Sequence, residues 1–117
     1  MPPSQREAAF LWDMLRAIDR IQAFIIDCDC DDYLASELLQ SAVERQLEIL
    51  GEAANRLPKS FQVAHPEIAW RKIIGLRNIL IHRYDDIQAE TIWLVLVNDL
   101  HPLRQVVAEL LPPAIEP

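Results

Sequence analysis

Apolar side chains recur every three or four residues along most of this chain, and that spacing constrains the fold more than any other feature. The recurrence places them along one face of an α-helix. The alternation typical of half-buried strands is absent, and only two glycines occur in 117 residues. Because tight turns and hairpins use glycine freely, its scarcity favours long helices with few turns.

The pattern predicts four long helices over residues 3–28, 32–57, 66–84 and 89–111. Pro58 and Pro112 end two of them, because the residue before a proline resists the α conformation. Pro102 is expected to kink the last helix. Residues 59–65 are expected to form a connector with at most one short turn. Short connections favour an all-α, antiparallel bundle of four to five helices, forming one domain over residues 1–117.

The second predicted helix has two unusual features. Gly51 lies inside it, at a cost of about 1 kcal/mol relative to alanine, and predicts the close approach of another helix. Glu44, Glu48 and Glu52 also form a row of like charges along this helix at four-residue spacing, which is unfavourable on an isolated helix. We interpret the row as a structural polar seam, offset by the pairs Arg45–Glu48 and Arg56–Glu52.

The formal net charge is −7, whereas proteins that bind nucleic acid across their whole surface are basic. Any RNA contact must therefore come from a local basic cluster or from a partner. No apolar run is long enough to cross a membrane, and no signal-peptide core is present, so a cytoplasmic protein is expected. Cys28 and Cys30 are interpreted as reduced thiols, and we predict no metal site and no cofactor.

The most informative segment is the end of the third predicted helix, where Arg77, Asn78, His82 and Tyr84 interrupt an aliphatic run. Asn78 and His82 are one turn apart and share a face. Arg77 and Tyr84 lie within about 20° of each other around the axis, whereas Arg77 and His82 are about 140° apart. Long side chains can still line two sides of one groove.

These residue types suit cleavage of a phosphodiester without a metal ion. Histidine can take a proton from a ribose 2′-hydroxyl or give one to the leaving 5′-oxygen. Arginine can hold the non-bridging phosphate oxygens while negative charge builds up, and Asn78 can orient the imidazole or bind a ribose. The residues alone are equally compatible with a structural hydrogen-bond network that caps the bundle.

The segment resembles the R-x4-H-x-Y signature of the HEPN superfamily, written here as Arg77, His82 and Tyr84. The flanking stretches 42–54 and 70–78 are similar to the HepT-like branch of that superfamily. This resemblance implies a helical HEPN-type bundle that forms a homodimer and brings two motifs into one cleft, so that each cleft contains two histidines. It also implies a toxin of a type II toxin–antitoxin pair.

What the resemblance implies for individual residues follows from the motif. Arg77 and His82 take the catalytic roles of an endoribonuclease, and Asn78 supports them. RNA, including tRNA, would be the substrate. The partner would be an MNT-type nucleotidyltransferase antitoxin, which neutralises the toxin by transferring AMP to Tyr84. Contacts to RNA phosphates are expected from Arg83, Arg71 and Lys72.

One departure from the family pattern leaves a second hypothesis open. Asp85 and Asp86 follow the motif, and their charge would oppose phosphate binding. The chain could therefore be a non-catalytic binding partner or acceptor subunit of a nucleotidyltransferase. We expect His65 to be a solvent-facing connector residue and His101 to be structural. The three tryptophans are expected to pack within the bundle or dimer.

Overall fold

The computed structural model describes residues 2–82 and 88–112. Seven helices and no strand occur in this part of the chain, which confirms the all-α prediction. The helices are α1 (Gln5–Phe24), α2 (Cys30–Leu34), α3 (Glu37–Arg56), α4 (Lys59–Ala64), α5 (Trp70–His82), α6 (Ala89–Asn98) and α7 (Leu100–Leu110).

The first helix begins at a capping box, in which Ser4 and Glu7 exchange side-chain and backbone hydrogen bonds of 2.8 and 3.0 Å. This arrangement satisfies backbone donors that a helix start leaves unpaired. The helix ends at Phe24, four residues before the predicted end at Cys28, because the chain turns through Ile25 toward a second capping box.

The predicted second helix is two helices, which corrects the single helix expected over residues 32–57. Ser36 caps α3 by accepting a 3.0 Å hydrogen bond from the Leu39 N–H. Gln40 then donates to the carbonyls of Tyr33 and Leu34 at 3.0 and 3.2 Å. These local side-chain bonds replace the helical bonds that would otherwise continue through the junction.

Three other boundaries differ from the predictions. The connector expected over residues 59–65 contains the helix α4, and α5 begins at Trp70 rather than at Pro66. The last predicted helix is divided at Asp99, so that Pro102 lies in the first turn of α7. Proline is tolerated there because its missing N–H would have had no helical partner. The predicted end at Tyr84 lies outside the described residues.

The core forms where α1 and α5 each pack against α3. The apolar stripe predicted on α1 is buried from Leu11 to Ile21, against Val43, Leu47 and Leu50 of α3. Helices α6 and α7 close the core through Ile92, Leu96, Leu100 and Val107. Within the described ranges, no helix is both long and apolar enough to cross a membrane. The α3–α5 contact is the one that positions the predicted motif.

Candidate active site

Helices α3 and α5 approach each other most closely at Gly51. A Cβ atom added there would overlap the Cβ of Arg77 and would lie 3.2 Å from the Ile73 carbonyl oxygen. No residue larger than glycine fits without a shift of the backbone of α5, which confirms the close approach predicted from the sequence. The glycine thus brings the backbone bearing Arg77 directly against α3.

The guanidinium of Arg77 joins the two helices. Its Nη2 donates to Glu52 Oε2 at 2.7 Å, and its Nη1 donates to Asn78 Oδ1 at 2.9 Å. The Arg77 side chain is only 22% exposed, so these bonds restrict it to a narrow set of positions. Because each Nη carries two hydrogens, one N–H on each nitrogen remains for a further acceptor.

Glu52 is itself held by a second arginine. Arg56 Nε donates to Glu52 Oε1 at 3.1 Å, which leaves Oε2 to Arg77. The hydrogen bond from Arg56, together with the charge and hydrogen bond of Arg77, lowers the pKa of Glu52 despite some burial. Glu52 is therefore ionised at neutral pH and fixes one edge of the Arg77 guanidinium.

Stability alone does not explain why Arg77 occupies this place. Its Nε is buried and has no hydrogen-bond partner among the described residues. A buried donor without a partner costs about 1–3 kcal/mol. A helical bundle selected only for stability would avoid that cost, which makes Arg77 a candidate functional residue on structural grounds.

Asn78 and His82 lie one turn apart on α5, and both side chains are exposed, whereas Arg77 is half-buried. The structure therefore joins Arg77 to Asn78 by a hydrogen bond and leaves His82 at the described end of the same helix. No hydrogen bond links His82 to Arg77 or Asn78 in the described structure. Tyr84, Arg83 and the acidic pair 85–86 lie outside the described residues.

A groove begins at Asn78 and extends toward the start of α5. It has a volume of about 460 Å³, and its charged lining residues, among those described, are Lys59 of α4 and Arg71 of α5. Lys72, the next residue along, lies elsewhere: its Nζ donates to Asp99 at 2.7 Å. Of the two basic residues that the sequence suggested just before the motif, only Arg71 shares a groove with Asn78.

A second cavity, which includes Glu52 in its lining, has a different character. Its volume is about 270 Å³, and it is lined by Asp13, Glu48 and Glu52, with Arg45 and Arg56 and the apolar residues Phe10 and Ile81 among the others. The pairs Arg45–Glu48, at 3.4 Å, and Arg56–Glu52 confirm the offsetting interactions expected for the polar seam. Carboxylates thus line this cavity, whereas no described carboxylate lines the groove that begins at Asn78.

Trp70 and Trp93 have structural surroundings, as expected, whereas Trp12 is 41% exposed. Trp70 is 8% exposed and donates its indole N–H to the His65 carbonyl at 2.9 Å, and Trp93 packs on Tyr33. His65 is not the solvent-facing residue expected, because its ring packs on Phe61 at 4.3 Å between centroids. In residues 2–82 and 88–112, no three or more His, Cys, Asp or Glu side chains come together as a possible metal-binding group.

The sequence did not single out Glu52 or Lys59 as site residues. Glu52 was counted as one member of an acidic row, although it directly follows the only glycine inside that helix. A charged residue beside such a glycine stands at the closest helix approach, and that signal could have indicated a partner on the facing helix. Lys59 lay in a segment expected to be a connector.

Comparisons with known proteins point to one family. A family model described as "Ribonuclease HepT-like" matches residues 14–110. The chain is 36% identical over 95 residues to a protein named "Probable ribonuclease HepT" from Thermococcus cleftensis, covering 81% of this chain and 86% of that one. It is 33% identical over 99 residues to a protein of Methanocaldococcus jannaschii named as a "Putative RNase", covering 85% and 91%. No solved structure matches significantly.

Proposed function

We propose, from the premise that this chain belongs to the Ribonuclease HepT-like family, that it is an endoribonuclease whose chemistry is carried by Arg77 and His82. The observation that carries the proposal is the anchoring of Arg77 between Glu52 and Asn78. It fixes a permanently charged guanidinium on the same helix as the exposed His82, five residues before it. The relatives' names, which describe ribonucleases, support the same class of reaction.

The reaction we propose is an internal transesterification. The ribose 2′-oxygen forms a bond to phosphorus, and the bond from phosphorus to the 5′-oxygen breaks, leaving a 2′,3′-cyclic phosphate and a 5′-hydroxyl. The proton of the 2′-hydroxyl passes to a base, and the leaving 5′-oxygen receives a proton from an acid. His82 serves in one of these roles, because an imidazole exchanges protons near neutral pH.

Arg77 stabilises the charge that builds up on the phosphate. The free N–H on each Nη can donate to a non-bridging oxygen while the other N–H groups stay bonded to Glu52 and Asn78. Because the side chain is already fixed, little reorganisation is required when the substrate binds. No metal ion is needed for any of these steps.

We further propose that the working form is a homodimer. One histidine supplies one proton-transfer group, whereas the reaction uses an acid and a base. A two-fold axis beside α5 would bring a second His82 to the same phosphate. This proposal rests on the family resemblance and on the chemistry, which requires two such groups.

Regulation by a nucleotidyltransferase antitoxin is part of the same proposal. Transfer of AMP to the Tyr84 hydroxyl, with pyrophosphate leaving from ATP, would add a bulky anion two residues after His82 in the chain. That anion would repel an RNA phosphate and occupy its place. The toxin would then be inactive for as long as the modification persists.

The test is an RNA cleavage assay with EDTA-treated, unmodified protein, using total tRNA and a mixed pool of single-stranded RNA. We expect wild type to cut, and His82→Ala to cut about 10²–10⁴-fold more slowly, the range typical of a lost acid or base. His101→Ala is the matched control, since His101 is an exposed histidine on α7. The products should carry a cyclic phosphate.

Two outcomes would contradict the proposal. Equal cleavage by wild type and His82→Ala would remove His82 from the mechanism. No cleavage by a folded, AMP-free dimer would favour the acceptor-subunit hypothesis, which the acidic pair 85–86 beside the motif supports. In that case AMP incorporation should be measured by intact mass, with Tyr84→Phe as the variant that loses it.

A further inference from the structure

The groove that starts at Asn78 has a charge opposite to that of the whole protein. The chain carries a net charge of −7, yet no described carboxylate lines this groove, and Lys59 and Arg71 do. Neither cation forms an ion pair with a residue in the described ranges, whereas Lys72 and Arg77 do. The groove is therefore a local site where an anion is attracted in an otherwise repulsive field.

Arg71 stands in line with the proposed active site along α5. Arg71, Gly75, Asn78 and His82 fall within about 60° of one another around the axis of α5. At a rise of 1.5 Å per residue, Arg71 is about 16 Å from His82 along that axis. An extended strand lying along this stripe would therefore reach from the histidine to the groove with more than one phosphate.

The polar groups of the groove suit unpaired nucleotides. Asn55 and Asn78 present carboxamides, and the Asn78 oxygen accepts from Arg77, which leaves its NH₂ group as a donor. The Gln62 NH₂ group donates to the carbonyls of Ala54 and Leu57, which leaves its oxygen as an acceptor. Donors and acceptors of this kind recognise the exposed base edges of single strands, which a duplex hides.

Gly75 keeps the floor of the groove open. A Cβ atom added at this position would meet no other atom within 4 Å. Since glycine inside a helix costs about 1 kcal/mol relative to alanine, this glycine lowers stability without relieving any crowding. Open space beside two cations is what a ligand requires.

We infer that this groove, formed by α4 and the first half of α5, is the binding subsite for the single-stranded RNA that flanks the cleaved bond, with Lys59 and Arg71 as its phosphate contacts. The inference rests on the proposed ribonuclease function, and it assigns to the strand a path along α5 from His82 toward Arg71. It adds Lys59 and Gly75 to the residues that serve the substrate.

The test measures binding separately from cleavage. The probe is a fluorescent, mixed-sequence strand with 2′-deoxyribose throughout, which retains the phosphates and lacks the attacking hydroxyl, so that it cannot be cut by the proposed reaction. Its Kd is measured by anisotropy at several salt concentrations for the full-length protein. Cleavage of the corresponding RNA is measured in parallel.

Three variants are compared with wild type. The double variant Lys59→Ala/Arg71→Ala should raise Kd at least about 10-fold and reduce the slope of log Kd against log salt by about 1.4, or roughly 0.7 for each lost contact. Gly75→Leu should raise Kd about 10-fold and leave the slope unchanged, because it blocks space and removes no charge. Arg16→Ala/Arg20→Ala, a loss of two exposed charges on α1, should change Kd by less than about two-fold.

The possible outcomes separate this inference from the proposed function. If wild type cuts RNA but the groove variants bind like the α1 control, the groove is not the subsite and the ribonuclease proposal stands. If wild type does not cut but the groove variants lose binding of the probe, the groove is confirmed as a strand-binding site and the ribonuclease proposal falls. No binding of the probe by wild type would overturn the inference.

Discussion

At the scale of single residues, the two glycines of this chain have opposite surroundings. Gly51 of α3 has no room for a methyl group because of Arg77, whereas Gly75 of α5 faces open space. One glycine is required by the contact between α3 and α5. The other is favourable only if something occupies the space beside it.

The two glycines should therefore respond differently to alanine. Gly51→Ala should lower the free energy of unfolding by about 1–3 kcal/mol, because the added methyl group overpacks a tight contact. Gly75→Ala should raise it by up to about 1 kcal/mol through helix propensity. Urea denaturation followed by circular dichroism measures both, and a stable Gly51→Ala protein would contradict the close approach.

Glu52 is the second residue whose role can be tested, since it accepts a hydrogen bond from Arg77 and would position that side chain in the proposed reaction. Glu52→Ala should lower kcat about 10-fold or more by freeing the guanidinium, and Glu52→Gln should restore part of it, because the amide oxygen still accepts from Arg77. KM should change less than kcat. Equal activity in all three proteins would show that Arg77 needs no anchor.

The same residue gives a pH dependence of stability. Because the pKa of Glu52 is lower in the folded protein than its ordinary value of 4.5, its stabilisation is present above that value and is lost as the pH falls toward the lowered pKa. Wild type should thus have a higher melting temperature than Glu52→Gln at pH 7, and the difference should shrink as the pH falls below 4.5. A difference independent of pH would mean that the carboxylate charge contributes nothing.

Residue-scale features were predictable only in part. The role of Gly51 could be recognised from the sequence, because a glycine inside a long helix lowers stability unless another backbone must come close to it. The direction of the Arg77 side chain could not be predicted, since a long side chain at a helix interface can extend toward either of the adjacent helices. Its direction in the structure depends on the hydrogen bond to Glu52, which is 25 residues away along the chain.

At the scale of helices, α3 combines a stabilising and a destabilising acid. Glu52 is paired with two arginines, whereas Glu44 is half-buried, and burial, followed by the charge of Glu48, raises its pKa. The Glu44 charge also adds to burial in raising the pKa of Tyr33, whose hydroxyl is buried without a hydrogen-bond partner in the described structure. Glu44 therefore occupies an electrostatically unfavourable position in α3.

Glu44→Gln should stabilise the protein at neutral pH. A folded-state pKa above the unfolded one means that the ionised carboxylate costs stability at high pH, and that the cost is lost as the pH falls below the unfolded value. Removing the repulsion from Glu48 alone contributes a few tenths of a kcal/mol. Denaturation at pH 7 and pH 4 should show a stabilisation that shrinks in acid, and Glu37→Gln, at an exposed position in the first turn, serves as the control.

The helix faces were predictable, but the helix ends were less so. Apolar spacing identified the buried side of α1 and of α3 because burial follows the helical period. The break before Glu37 depends on the single cap Ser36, and no proline or glycine marks it, whereas Pro102 indicated the break at Asp99 only to within three residues. The segment of α4 is six residues long, too short for the apolar spacing to distinguish a helix from a connector.

At the scale of the whole molecule, acidity and RNA binding are compatible because the charges are segregated. Asp13, Glu48 and Glu52 contribute to the lining of one cavity, whereas the described charged residues that line the groove are Lys59 and Arg71. The sequence predicted that a local cluster would be needed, but not where it would form. Its two cations are 12 positions apart along the chain, and the fold brings them together.

The proposed dimer predicts a dependence of activity on protein concentration. If each cleft takes one His82 from each subunit, the rate per chain should be constant at high concentration and should fall on dilution below the dimer dissociation constant. Single-turnover cleavage beside analytical ultracentrifugation measures both quantities. A rate per chain that stays constant through dissociation would show that one subunit suffices.

The contact of Gly51 with Arg77 also bears on how such a site could be transplanted. Because Gly51 has no side chain, the side chain of Arg77 packs directly against the backbone of α3. This contact and the hydrogen bond from Arg77 to Glu52 fix the register of α5 against α3. Copying the segment 77–82 into another bundle would transfer Arg77 and His82 without the glycine on the facing helix that makes room for Arg77. An active graft would need both helices. A shift of either helix by one residue would break the contacts of Arg77 with α3, although His82 would keep its place on α5.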